Sequence, residues 1–421
     1  MMTTLIIGGF IAISLMGAPL FSVIAGIALY CFYLGDIPLM GVINEMYRLT
    51  DQEIFITLPL FTFAGVLMSH TDMPGRLLRF SRACLGWMPG GLSMVAILIC
   101  TLITAFTGVT GVTIVSVGVL LYPALQSAGY DKNFSLGLLT SSGSLGLLIP
   151  PAIPLILFAI VAEISPNKLF LAGALPMLLI ILVLCAYSVK TGLAIPRTPF
   201  SRARLWQSLW AFRYELPIFI IVPAGIFSGL MTAVEAASVM AFLVLVVEVF
   251  ILREIPLRDF TQVAKKAMTL IGGILLIVMA SLATSGYLIQ EDVPHRMFAF
   301  LQQYIHTKIG FLLLLNGFLL ILGCMLDIFS SIMIVVPLIL PIAERYGVDF
   351  YHLGIIFLVN MQIGYSTPPL GMNLFIASQS FKEPVVTLFR ATLPFLLMLL
   401  GVLLLITYVP SMSLCLLSLL P

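Results

Sequence analysis

Charge is what this sequence has least of. Over 421 residues, 18 Asp and Glu and 20 Lys and Arg make up 9% of the chain, against 61% hydrophobic residues. A soluble protein of this length carries roughly 25% charged residues, so water cannot surround this one on every side. Intrinsic disorder is excluded as well, because it needs low hydrophobicity and high net charge. A net charge of +2 supplies no basic stripe, so nucleic acid is not a partner. Enzyme motifs are missing: there is no G-x-x-x-x-G-K-[ST] loop, no H-E-x-x-H and no G-x-S-x-G elbow. The chain reads as a non-enzyme. Cys31, Cys84, Cys100, Cys185, Cys324 and Cys415 show no C-x-x-C spacing and read as small hydrophobes in helices. The opening Met1–Gly17 lacks the basic start of a secretory signal and reads as a first span.

What is present is a series of apolar stretches of near-spanning length. They are continuous rather than alternating, so they predict an all-α polytopic membrane protein, not a barrel. Spans are expected at about 3–16, 18–33, 54–70, 134–163, 168–190, 214–230, 232–252, 268–290, 352–380 and 391–410. The spans 134–163 and 352–380 are broken, near Pro150-Pro151 and Pro368-Pro369. Stretches 88–128 and 309–345 are interrupted halfway by small and polar residues and read as re-entrant hairpins. A hairpin returns to the side it entered from, and irregular backbone at membrane depth is tolerated when protein surrounds it.

Basic residues test this map through the positive-inside rule. With hairpins counted as zero crossings, one side receives Arg76, Arg79, Arg82, Lys132, Lys190, Arg197, Arg202, Arg204, Arg213, Arg253, Arg258, Lys265, Lys266, Lys382 and Arg390. The other receives Arg48, Lys168, Arg296, Lys308 and Arg345, a split of 15 to 5 that uses all 20. The expectation is ten crossings, with the basic side inside and both termini outside.

The two halves repeat each other at an offset of 218. It relates Asp36-Ile37-Pro38-Leu39 to Glu254-Ile255-Pro256-Leu257, Pro123 to Pro341, Gly129 to Gly347, Asp131 to Asp349, Gly146 to Gly364, and Pro150-Pro151 to Pro368-Pro369. Equivalent elements fall on opposite sides, so these are inverted repeats, a mark of secondary transporters. Residues 1–190 form the first repeat, with scaffold spans in 3–70 and hairpin and broken span in 88–190. A basic cytoplasmic linker, 191–213, follows. Residues 214–421 form the second repeat, with scaffold spans in 214–290 and hairpin and broken span in 309–410. The stretches 36–53 and 254–266 read as interfacial helices on opposite faces.

Unpaired polar groups are expensive at membrane depth, so they mark candidate sites. The first hairpin turns at Thr107-Gly108-Val109-Thr110-Gly111-Val112-Thr113, and the first broken span carries Thr140-Ser141-Ser142-Gly143-Ser144. The second hairpin turns at Asp327-Ile328-Phe329-Ser330-Ser331, and the second broken span carries Asn360, Gln362, Gly364-Tyr365-Ser366-Thr367 and Asn373. Proline lacks an amide hydrogen and clashes one turn back, so each Pro-Pro frees backbone carbonyls. Carbonyls and hydroxyls are hard ligands suited to Na+, while half-helix N-termini present amides to an anion. Thr110, Ser142, Ser330, Thr367 and Asn373 are the residues expected to meet the solute. By elimination, Asp327 is the one acidic residue read as lying inside the membrane; Glu235 and Glu248 fall near span ends. Asp327 could ligate Na+, contact the solute, carry a proton or cap the following helix. His70, His295, His306 and His352 fall at span ends or in loops.

These residues resemble a known family. Gly143-Ser144-Leu145-Gly146-Leu147-Leu148-Ile149-Pro150-Pro151-Ala152-Ile153-Pro154 is similar to the G-x-x-G-x-x-I-P-P-S-x-P segment of the large membrane subunit of TRAP (tripartite ATP-independent periplasmic) transporters. Gly323-Cys324-Met325-Leu326-Asp327 resembles its G-M-F-M-D, and Gly364 to Phe375 its G-x-x-T-P-P-x-G-x-N-L-F. The resemblance runs from Gly17-Ala18-Pro19 to about residue 400. It implies an elevator-type, Na+-coupled importer of organic acids such as C4-dicarboxylates and sialic acids. It also implies a small four-helix membrane subunit and a soluble periplasmic substrate-binding protein as partners. One implied Na+ site uses Thr107, Gly108, Thr110, Gly111 and Thr113 with Ser141, Ser142, Gly143 and Ser144. The other uses Asp327, Ser330 and Ser331 with Gly364, Tyr365, Ser366 and Thr367. The family's first tip often reads S-G-S-S, and here Val112 stands where a hydroxyl is expected. A self-sufficient di- or tricarboxylate carrier, and a channel or scaffold without transport, remain as other readings.

Overall fold

The computed structural model describes residues 20–35, 37–47, 56–193, 195, 199–368 and 371–417. The span read at 3–16, Gly17-Ala18-Pro19, Asp36, Arg48, Arg197 and Pro369 lie outside the described residues. Among the described residues every regular element is a helix. The first half contains α1 (Leu20–Leu34), α2 (Met40–Tyr47), α3 (Thr57–Ser69), α4 (Met73–Leu85), α5 (Gly91–Thr107), α6 (Thr110–Ser127), α7 (Lys132–Ser142), α8 (Ile153–Val161) and α9 (Pro166–Gly192). The second contains α10 (Arg202–Ala211), α11 (Leu216–Phe227), α12 (Ala233–Ile251), α13 (Leu257–Gln290), α14 (Val293–Gln302), α15 (Lys308–Met325), α16 (Ile328–Arg345), α17 (Phe350–Gly364), α18 (Met372–Phe381) and α19 (Val385–Tyr408).

The offset read from sequence reappears in the helix boundaries. Shifting α6 by 218 gives residues 328–345, the bounds of α16. Helices α7 and α17 both start one residue after an aspartate at that offset. Asp131 accepts from Asn133 N (2.8 Å) and Phe134 N (3.1 Å), and Asp349 accepts from Tyr351 N (2.8 Å) and His352 N (3.2 Å). Each carboxylate satisfies amides that no helical carbonyl can reach. The tight contacts repeat as well. A Cβ at Gly146 would lie 2.3 Å from Ala105 N, and one at Gly364 would lie 2.6 Å from Gly323 Cα, and Ala105 and Gly323 are again 218 apart. In each half, then, the broken span runs backbone to backbone along the first arm of its hairpin, a closeness only glycine permits.

Two elements differ from the sequence reading. The stretch 254–266 and the span 268–290 form one helix, α13, of 34 residues. At 1.5 Å per residue it is about 50 Å long, well beyond a ~30 Å hydrocarbon core, so its basic start at Arg258, Lys265 and Lys266 extends past the apolar layer. The linker 191–213 is also not wholly a loop. It contains α10, capped by Ser201 Oγ accepting from Arg204 N, which bends by 76° into α11.

Loops assigned to the basic side find one another. Lys132 pairs with Glu383 at 2.5 Å, and Lys266 Nζ lies 3.3 Å from His70 Nε2. On the other side, Lys308 Nζ donates to Gly347 O at 2.6 Å. The largest such meeting gathers four charged residues. Arg76 on α4 forms ion pairs with Glu215, before α11, with Glu254, after α12, and with Glu248 of α12 at 3.5 Å. Glu215 and Glu248 are 0% exposed. Both lie near span ends in sequence, as expected, but protein rather than water surrounds them. One guanidinium thus ties α4 to the ends of two scaffold spans. His352 is buried too, with Nδ1 3.2 Å from Ser413 Oγ and Nε2 3.2 Å from Thr407 O.

Candidate functional site

Both hairpins turn without a loop of any length. After α5, Gly108 takes a left-handed φ of +68° and Val109 is extended, and α6 begins at Thr110. A Cβ at Gly108 would meet Ile153 of α8 at 2.6 Å, and one at Gly111 would meet Ile376 of α18 at 2.7 Å. The tip therefore sits between the second arms of the two broken spans. Below it, Thr104 Oγ1 is 2.7 Å from Thr113 Oγ1 and 2.8 Å from Gly143 O. These bonds join both arms of the hairpin to the break of the first broken span. Thr104 lies one turn before the tip and was not singled out from the sequence; a threonine in an apolar helix was the available signal.

The break itself is a 3-10 turn, Leu145–Leu148, between α7 and α8, which bend by 44°. Thr110 Oγ1, Ser141 Oγ and Ser142 Oγ are buried and have no hydrogen-bond partner. Thr107 is engaged otherwise, donating to Ile103 O at 2.8 Å. Ser144 Oγ reaches Gln362 O at 3.4 Å. Residues 144 and 362 are repeat equivalents, so the two broken spans meet where the repeats' pseudo-symmetry axis must pass.

The second hairpin changes direction at Leu326 and Asp327, both extended, before α16. Asp327 Oδ2 accepts from Ser330 N at 3.0 Å and Oδ1 accepts from Ser330 Oγ at 2.6 Å, so the carboxylate caps α16. The neighbouring amide of Ile328 donates to the Tyr365 hydroxyl at 2.5 Å. Tyr365 is 2% exposed and ties this hairpin to the break of the second broken span. There the chain folds back on itself, with Asn373 N donating to Tyr365 O at 3.0 Å. Ser331 Oγ, Ser366 Oγ, both side-chain heteroatoms of Gln362 and both of Asn373 are buried without partners among the described residues. Thr367 donates to Ile363 O at 2.9 Å. A cavity of about 250 Å³ opens beside Asp327, lined also by Gly323, Met372 and Phe375. Asp327→Ala is expected to lower stability by about 1 kcal/mol, the usual loss of an N-cap. Asp327→Asn, which keeps an acceptor, should melt near the wild-type temperature; equal melting of both variants would contradict the capping role.

The structure thus brings Thr113, through Thr104, to Gly143, and the Asp327–Ser331 tip to Tyr365. Asn360 goes elsewhere: its amide donates to Asn316 Oδ1 (2.7 Å), and Asn316 donates to Thr407 (3.1 Å). That ladder binds α15, α17 and α19 together. Asn316 was not singled out, although it stands alone in Leu312–Leu320.

Each half thus places hydroxyls and amides where a hairpin tip meets a broken helix. The family profile described as "Tripartite ATP-independent periplasmic transporter, DctM component" matches residues 7–412. The chain belongs to this family. It is 33% identical over 379 residues to the C4-dicarboxylate TRAP transporter large permease of Pseudomonas aeruginosa, covering 88% of each chain. It is 31% identical to the ectoine/5-hydroxyectoine TRAP large permease of Ruegeria pomeroyi, covering 91% of this chain and 92% of that one. To the sialic acid TRAP large permease of Vibrio cholerae it is 29% identical, covering 89% and 88%. Among solved structures, the fold resembles the YdaH transporter of Alcanivorax borkumensis, with a TM-score of 0.58 at 14% identity over 84% of each chain. This DctM-family chain is a multi-pass inner-membrane permease and not an enzyme.

Proposed function

We propose that this DctM-family permease imports an organic acid by Na+ coupling. The two junctions of hairpin tip and broken helix act as gates, with one Na+ at each and the solute carboxylate between them. The observation that carries the reading is the set of unpaired buried polar atoms. Thr110, Ser141 and Ser142 supply them at one gate, and Ser331, Ser366 and Asn373 at the other. A buried polar group without a partner costs about 1–3 kcal/mol, so evolution removes such groups unless something binds them. Oxygen donors suit a hard cation, and the amide hydrogens of Asn373 suit a carboxylate. The relatives are named for C4-dicarboxylate, ectoine and sialic acid transport, and those solutes share a carboxylate.

An elevator movement is the mechanism this reading assigns to the permease. α5–α9 and α15–α19 carry both gates, and α1–α3 and α11–α13 form the scaffold against which they slide as one body. A Cβ at Gly65 of α3 would lie 2.5 Å from Phe106 O, so scaffold and hairpin approach backbone to backbone there. The Asn316–Asn360 ladder supports rigid movement of the gate helices. As in other TRAP systems, a small four-helix membrane subunit and a periplasmic binding protein complete the transporter.

The test is uptake of labelled C4-dicarboxylates and sialic acids into proteoliposomes containing the permease and its small subunit. Uptake should require both an inward Na+ gradient and an added binding protein. Uptake unchanged on replacing Na+ with choline contradicts the coupling. Full uptake without the binding protein would make this a self-sufficient carrier.

A further inference from the structure

Away from both gates, α4 and α10 enclose a cleft of about 430 Å³. Arg79 and Arg82 of α4 and Arg204 of α10 line it, with Trp87, Phe200 and Gln207, and none of its lining residues is acidic. The volume lies within the range of small-molecule sites. Arg79 is already paired with Asp72 at 2.9 Å. Arg82 and Arg204 make no ion pair among the described residues. Two uncompensated guanidiniums therefore face one concavity. Guanidinium forks match phosphate oxygens two at a time, which ammonium groups do not.

The aromatic residues place the cleft in the membrane. The sequence has three tryptophans, Trp87, Trp206 and Trp210. One lines the cleft and the other two sit on α10 beside it. They are 49%, 66% and 60% exposed, and Phe200 is 50% exposed. Tryptophan concentrates at the level of lipid headgroups. Both α4 and α10 flank spans on the side carrying most of the basic residues, where anionic lipids gather.

We propose that this cleft binds a phosphate diester or monoester, and that the headgroup of an anionic phospholipid is its ligand. The phosphate is held by Arg82 and Arg204, with Gln207 beside it, and the glycerol end rests on Trp87 and Phe200. A soluble organophosphate shares the anionic chemistry but leaves the exposed aromatics without a role, which favours the lipid.

Because Trp87 lines the cleft, its fluorescence in a Trp206→Phe/Trp210→Phe background reports on the cleft. The full chain in detergent is titrated with short-chain phosphatidylglycerol, with phosphatidylcholine of the same chain length, and with glycerol phosphate. A saturable change with phosphatidylglycerol alone is expected, and native mass spectrometry should show the same lipid retained. Arg82→Ala/Arg204→Ala should weaken it by about tenfold or more, and Arg82→Lys/Arg204→Lys by less. Unchanged melting of the variants excludes misfolding as the cause. A saturable response to glycerol phosphate alone keeps the phosphate site and assigns it to a soluble ligand. An equal response to phosphatidylcholine, or binding unaltered in the alanine variant, overturns the proposal.

Discussion

Arg76→Met is expected to be the most destabilising single substitution outside the gates. Arg76 is the one cation among three glutamates, two of which have no access to water. Deleting it leaves carboxylates facing one another in a medium that cannot screen them. Breaking a buried ion pair from one side typically costs about 3–5 kcal/mol. The variant should give little monodisperse protein and a lower melting temperature. Arg76→Lys keeps the charge but loses the fork that reaches three partners, and should fall between. Glu248→Gln removes the longest contact, 3.5 Å, and should be nearly neutral. The triple variant Arg76→Met/Glu215→Gln/Glu248→Gln should regain part of the loss, because it removes the unpaired charges. If Arg76→Met alone melts at the wild-type temperature, the cluster does not hold α4 to the scaffold.

Gly146→Val and Gly364→Val are expected to abolish uptake. Each added Cβ would lie 2.3–2.6 Å from backbone atoms of the adjacent hairpin helix, and backbone cannot swing away as a side chain can. The hairpin must separate from the broken span, which pulls Thr104 from Gly143 and, in the second half, Ile328 from Tyr365. Overpacking of this kind costs about 1–3 kcal/mol, and it acts on the gate geometry itself. Gly317→Ala is the matched control, since its Cβ would meet nothing within 4 Å. It should leave uptake intact and, by favouring the helix, stability unchanged or slightly raised. Equal uptake by Gly364→Val and Gly317→Ala would contradict the close packing.

Much of this architecture was legible because the bilayer makes sequence unusually informative. Pro150-Pro151 and Pro368 stand at the breaks because proline cannot continue a helix, and α16 starts after Asp327 because its short carboxylate caps the helix. The offset of 218 carried Asp131 to Asp349 and Gly146 to Gly364, and the structure gives each pair the same contact in each half. Arg76, Glu215, Glu248 and Glu254 could not be joined in the same way. They lie up to 178 residues apart, and a glutamate near a span end reads as solvated until packing covers it. The reading of α10 failed for a related reason. Its basic, aromatic sequence has no apolar run, and it is helical because Ser201 caps it and the cleft with α4 receives it. At Asp327 the structure shows the helix cap, one of the readings the sequence left open, with both carboxylate oxygens accepting from Ser330. Thr104 and Asn316 were hidden as single polar residues in apolar helices, where hydroxyls and amides commonly bond within their own helix.

The central claim is that two equivalent gates each bind Na+. The most direct measurement is the dependence of initial uptake rate on Na+ concentration in the reconstituted transporter. Two coupled sites predict a sigmoidal curve with a Hill coefficient approaching about 2. Removing the unpaired hydroxyls of the first gate, by Thr110→Val/Ser142→Ala, should lower it toward about 1 and shift half-saturation to higher Na+. A rate independent of Na+, or a curve unaltered by that substitution, would contradict it.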